Sequence, residues 1–223
     1  MARKFAHPFS LGYALNYALL ICNDFNDPVM AQPLFDETMA LSQRYESQYW
    51  LNTSLILQWR LEVEHGAIDA GIAQIRAGIR NYEGMQQDLY RPYSLALLAQ
   101  AEAKAGNCEQ GLATLAEALA SVNHYGDRWY EAELLRLKGE LLDKLATVPS
   151  IVEACFQQAY TLAHAQQAKS LELRAAMSLS RFWQRQGKRE QARRLLAEIY
   201  TWFTEGFDTA DLQEAKALLE ALS

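Results

Sequence analysis

The chain has few of the residues that break or cross-link a fold. Its 223 residues include five prolines, eleven glycines and three cysteines. Cys22, Cys108 and Cys155 stand far apart, with no CxxC and no Cys/His pair at ligand spacing. An odd, sparse count argues against a disulfide scaffold and for a reducing compartment, so a cytoplasmic location is expected. Long apolar runs are also missing. After the basic MARK, the stretch LGYALNYALLIC resembles a short secretory signal. However, Asn16 and two tyrosines interrupt it, and no small-residue cleavage site follows before Asp24. It falls well short of the ~20 apolar residues of a spanning helix, so no membrane partner is expected. Runs of alternating Val, Ile and Thr are absent, which leaves little strand signal.

A cationic surplus is lacking as well. Lys and Arg total 21 against 27 Asp and Glu, a formal net charge of −6. Nucleic acid is therefore not the expected partner of the whole chain, although a local patch could still bind one. Catalytic signatures are missing. Gly187-Lys188 is followed by Arg and has no glycine-rich lead, so it makes no phosphate loop. Neither GxSxG nor HExxH occurs. His7, His65, His124 and His164 fall in different predicted hairpins and read as caps or packing. The carboxylate pairs Glu62/Glu64 and Glu131/Glu133 read as exposed helix faces. No catalytic residue, metal site or cofactor is expected, and the chain reads as a non-enzyme.

What is present is helix-forming and repetitive. Half of the residues are hydrophobic, and Leu, Ala, Glu, Gln and Arg dominate. Four stretches align over fourteen positions: CNDFNDPVMAQPLF from Cys22, EVEHGAIDAGIAQI from Glu62, EAKAGNCEQGLATL from Glu102 and WQRQGKREQARRLL from Trp183. The fifth position is Asn26, Gly66, Gly106 or Gly187, suited to the left-handed residue that ends a helix. The tenth is Ala31, Gly71, Gly111 or Ala192, small enough for two helices to approach. The fourteenth is Phe35, Ile75, Leu115 or Leu196, which fills the space between hairpins. Asn26 to Gly66 and Gly66 to Gly106 are each 40 positions, and Gly106 to Gly187 is 81. The missing copy centres near Ala146, with its extra residue in the Val148-Pro149-Ser150 break. Asp27 and Pro28 read as the N-cap and first turn of a restarting helix.

A period near 40 is that of a helical solenoid, in which stacking buries the face each hairpin leaves wet. The predicted fold is all-α: a tetratricopeptide-like right-handed superhelical solenoid of five hairpins and a C-terminal capping helix, in one domain over 1–223. Helix pairs are expected at 8–24 and 28–45, 47–65 and 67–82, 89–105 and 107–123, 128–146 and 150–168, and 169–186 and 188–204. The cap is expected at 209–222, with Asp211, Glu214 and Glu220 on a polar outer face.

Two features could carry function. In such arrays the first helix of each pair lines a concave groove. Counting back from each turn places Tyr13, Asn16, Thr53, Arg60, Tyr93, Gln100, Arg136, Glu140, Arg174, Arg181 and Arg185 along it. Arginines gather at the C-terminal end, where bidentate contacts could hold an acidic or carboxylate-bearing segment. The second feature is the 174–194 stretch, with seven basic residues and one acid, Glu190. It is read first as a repeat turn neutralised by the acidic residues that follow, and alternatively as a nucleic-acid patch. Trp50, Trp59, Trp129, Trp183 and Trp202 are expected mostly in the core.

Longer stretches carry a resemblance. RPYSLALLAQAEAKAG, GDRWYEAELLRLKGELL, EACFQQAYTLAHAQQAKSLELRAAMSLSRFWQRQGK and YTWFTEGFDTADLQEAKALLEAL are similar to the C-terminal tetratricopeptide region of large bacterial predicted ATPases. Members of that family often carry a class III adenylate or guanylate cyclase domain or a DNA-binding activator domain. The resemblance spans about His7 to Leu222. It implies a sensor or scaffold arm that binds a protein or peptide partner, or an attached ATPase module in cis. Nucleotide chemistry would belong to modules that none of these residues match. A receptor for a short peptide or small signal molecule is the alternative.

Overall fold

A computed structural model describes residues 7–24, 28–83 and 90–223. Within them lie eleven α-helices: α1 (Pro8–Asp24), α2 (Pro28–Arg44), α3 (Gln48–Glu64), α4 (Ile68–Glu83), α5 (Arg91–Lys104), α6 (Cys108–Tyr125), α7 (Glu131–Lys144), α8 (Pro149–Ala165), α9 (Lys169–Arg185), α10 (Arg189–Tyr200) and α11 (Ala210–Leu222). The described residues contain no strand. Asn26 and Asp27, which the repeat assigns to the first turn, lie outside the described residues.

The turns explain the helix lengths. Backbone φ is positive at Glu46, Gly66, Gly106, Gly126, Ala146, Gln167, Gly187 and Gly206. Successive members stand 19 to 21 residues apart, except for one interval of 40 between Gly66 and Gly106. At six of them the next amide reaches back five residues to a carbonyl of the helix's last turn. These bonds are Ser47 N–H to Ser42, Ala67 to Glu62, Asn107 to Glu102, Thr147 to Leu142, Ala168 to Ala163 and Lys188 to Trp183. Each closes orphan carbonyls at a helix end and reverses the chain. Ala146 sits where the missing repeat copy was expected. Four residues separate α7 from α8, while α3–α4, α5–α6 and α9–α10 are each joined by three. The extra residue is in that turn.

The chain divides into two compact units, Met1–Asn107 and Cys108–Ser223. In the first, α1 packs on α2 and α3, α3 on α4 and α5, and α4 on α5. In the second, α7 packs on α8 and α9, α9 on α8, α10 and α11, and α10 on α11. Odd-numbered helices therefore touch each other, α1 to α3 to α5 and α7 to α9 to α11. Among the described residues, α2 and α4 do not approach each other, nor do α8 and α10. Each unit thus has one face built from neighbouring odd helices.

The small positions of the repeat are sterically required. A Cβ on Gly71 would lie 2.3 Å from a Val63 methyl and 3.1 Å from the Trp59 carbonyl oxygen. Ala192 is fully buried, as are Ile75, Leu115 and Leu196 at the fourteenth position. Each of those large side chains contributes ~1.5–3 kcal/mol by burial. In the second unit, Phe156, Leu173, Phe182, Trp183, Leu196 and Leu212 share one core. The Trp183 indole N–H is satisfied by Glu153 Oε1 at 2.7 Å.

Three expectations need correction. Trp50 and Trp183 are buried, but Trp129 is 37 % and Trp202 58 % exposed, because both stand in turns outside the helix-packing seam. α10 stops at Tyr200 rather than near 204, closed by tight bonds from Trp202 N–H to Ile199 and Phe203 N–H to Tyr200. Glu131 and Glu133 are buried rather than exposed, and each is met by an arginine on its own helix or at its start.

Two substitutions separate these effects by sign. Ala146→Gly relieves a left-handed alanine and is expected to stabilise the protein by up to ~1 kcal/mol in urea unfolding. Gly71→Ala, which would gain helix propensity on an open surface, is expected to destabilise it by ~1–3 kcal/mol through overpacking against Val63.

Candidate functional site

On the odd face of the first unit, α1 is free of charged side chains from Pro8 to Asn23, and α3 from Gln48 to Trp59. Phe9, Tyr13 and Tyr17 stand at i, i+4 and i+8 on α1, one stripe of the helix surface. The Tyr13 ring lies 6.1 Å from Tyr49 of α3. Tyr49 lies 6.3 Å and Tyr17 6.0 Å from Tyr90, just before α5. These four tyrosines are linked in the order Tyr13, Tyr49, Tyr90 and Tyr17. Tyr90 is buried beneath the others. Burial, and then a hydrogen bond with Tyr17, push its phenol above the usual range.

Beside this ring, Arg60 Nη1 donates to the Asn23 carbonyl at 3.1 Å and to Asn23 Oδ1 at 3.0 Å. Asn23 Nδ2 donates to the Tyr93 hydroxyl at 2.9 Å. Arg60, Asn23 and Tyr93 therefore tie α3, α1 and α5 together. Tyr93 and Asn16 are buried, with Asn16 Nδ2 donating to the Gly12 carbonyl at 3.1 Å. Thr53 donates to the Tyr49 carbonyl, and Gln100 is half-buried. Sequence reasoning missed Asn23, because no residue type is shared by its sister positions Val63, Ala103, Asp143 and Gln184.

The odd face of the second unit is ionic. Arg136 clasps Glu133 with Nε to Oε2 at 2.8 Å and Nη2 to Oε1 at 2.7 Å. Its Nη1 donates to Glu140 and to Ser178 Oγ, and Ser178 in turn donates to Glu140. Arg174 Nε donates to Asp211 of α11 at 2.7 Å. Arg181 pairs with Glu214 at 2.6 Å, and Arg185 with Asp143. Burial alone would raise the Glu133 carboxyl. The charge and hydrogen bonds of Arg136, with the charge of Arg174, overcome this and hold it below the usual range.

The structure thus brings Arg136, Arg174, Arg181 and Arg185 onto α7 and α9, each with an acidic partner. Three more residues of the basic stretch are engaged: Lys188 with Glu153, Arg193 with Glu190, and Arg189 donating to the Ala221 carbonyl. The acidic face expected on the cap helix supplies two of these partners. Among the described residues no helix is long and apolar enough to cross a membrane, and no three His, Cys, Asp or Glu side chains gather as a metal site.

Helix pairs of about 40 residues, reversed by left-handed turns and layered odd on odd, define a helical-repeat fold of the tetratricopeptide type. No family model matches the chain, and no curated protein sequence matches it. Among solved structures, the chain is similar to the Signal Transduction ATPase with Numerous Domains (STAND) protein with a tetratricopeptide repeat sensor from Pyrococcus horikoshii. The TM-score is 0.63 at 12 % identity, over 98 % of this chain and 34 % of that one. The chain therefore spans about a third of that protein's length.

The ionic face yields two predictions. Arg136→Ala strands the buried Glu133 carboxylate and is expected to cost ~3 kcal/mol, whereas Arg181→Ala, whose partner Glu214 is exposed, should cost under ~1 kcal/mol in the same urea titration. Because the Glu133 carboxyl is depressed in the folded state, its contribution is present above its unfolded value and lost as pH falls through the folded one. Stability should be flat from pH 7 to ~5 and decline below ~4. Glu133→Gln should flatten part of that decline.

Proposed function

We propose that this chain is a non-enzymatic protein-interaction module, the sensor or scaffold arm of a signal-transducing ATPase. Its odd-helix faces receive a protein or peptide partner, or an ATPase module attached in cis. The observation that carries the reading is the layering of the odd helices in each unit. It presents one continuous multi-helix face, whose side chains differ in chemistry while the turns stay the same. The likeness to a protein described as having a repeat sensor supports it, as does the resemblance of the C-terminal stretches to ATPase-associated repeats. Partner occupancy would act on a neighbouring module only by binding two of its states unequally.

A receptor for a short peptide is a second reading, favoured by the uncharged aromatic face of the first unit. The acidic partners found for five of the basic residues between 174 and 194 weigh against a nucleic-acid role. The test is partner capture on the immobilised, folded chain. Tyr13→Arg in the first unit and Arg181→Glu with Arg185→Glu in the second are compared with Arg194→Glu outside both faces. Capture should fall at least tenfold for one of the odd-face variants and persist for Arg194→Glu. Equal capture by all of them would refute the reading.

A further inference from the structure

We propose that the tyrosine face of the first unit binds an uncharged, proline-rich segment in the extended left-handed polyproline conformation. The inference rests on the reading that an odd-helix face receives a partner, and it names that partner's chemistry. Phe9 is 59 % and Tyr17 47 % exposed, while Tyr13 and Tyr49 are half-buried. The rings form a pavement over a buried floor of Tyr90 and Trp50. Phe9 packs against Tyr13 at 5.1 Å and Trp50 at 5.8 Å, so the pavement is held in place from below.

Charge selects the occupant. The surface offered by Pro8–Asn23 and Gln48–Trp59 carries no ionised side chain. Arg60, the next residue on α3, is held by Asn23. An acidic or basic peptide would find no counter-charge there and would lose its own hydration. An amphipathic helix lays a row of side chains into a hydrophobic groove, and this face offers instead aromatic rings set at 40° to 64° to one another. A proline-rich strand matches both properties. Its rings stack on aromatic faces, its backbone presents carbonyls that the Tyr13 hydroxyl can donate to, and its preformed shape costs little entropy on binding. Length agrees too: from Phe9 to Tyr17 the α1 stripe spans ~12 Å along the axis, which a polyproline strand crosses in about four residues.

The experiment is isothermal titration calorimetry of the full chain with an uncharged twelve-residue Pro-Pro-Ser repeat, beside a Gly-Ser peptide of equal length. Saturable binding of the proline-rich peptide alone is expected. Tyr13→Ala with Tyr17→Ala should weaken it at least tenfold. Tyr13→Phe keeps the ring and should weaken it about fivefold, the worth of one hydrogen bond of ~1 kcal/mol. Three results overturn the inference: no saturation with wild type, equal binding of the Gly-Ser peptide, or unchanged affinity in variants that melt at the wild-type temperature. A partner captured through Tyr13 that the proline-rich peptide fails to displace also overturns it, while leaving the proposed function standing.

Discussion

A residue in the left-handed region ends most of the helices about twenty positions after the previous one, and the geometry of both units follows from that spacing. The reversal point fixes which faces meet. Where the reversing residue is glycine the cost is small. At Glu46, Ala146 and Gln167 a side chain occupies the same conformation, and packing of the flanking helices holds it there. The bond from the next amide back across five residues recurs whether or not glycine is present. The constraint is thus a backbone one, and the side chains outside the turns are left free to vary.

That freedom is used differently in the two units. The first joins α1, α3 and α5 through rings and a hydrogen-bond relay from Arg60 through Asn23 to Tyr93. The second joins α7, α9 and α11 through arginines and carboxylates. Glu133 and Arg136 are nearly dry, so their mutual attraction offsets a desolvation cost that either would incur alone. Arg174 to Asp211 and Arg181 to Glu214 hold the last helix to α9. Those arginines are structural partners of α11 as the chain stands. Any acidic ligand at that end would have to compete with a tethered carboxylate.

The repeat was legible in the sequence because it is written in residues with steric meaning. Gly66, Gly106 and Gly187 mark left-handed turns, Gly71 and Ala192 mark close approaches, and the interval of 81 pointed to one inserted residue beside Ala146. The turns at Glu46 and Gln167 were placed by the expected helix boundaries, but their left-handed backbone was not legible, since neither residue advertises positive φ. Likewise, the candidate face residues were placed on the right helices by counting, but their partners were not. Burial of Glu133 depends on Arg136, three positions on, being drawn inward with it, whereas Glu131 pairs with an exposed Arg128, and a charged run on a helix reads the same whether wet or dry. The aromatic cluster illustrates the same limit. Tyr13 stood out by position, but its link through Tyr49 and Tyr90 to Tyr17 needed three separate elements to meet.

The proposed function puts the partner on the odd-helix faces and not on the even helices behind them. Hydrogen–deuterium exchange of the full chain, with and without a bound partner or peptide, tests it most directly. The account predicts added protection in segments from α1, α3 and the start of α5, or from α7 and α9, with α2, α4, α8 and α10 unchanged. Protection confined to the even helices would contradict it.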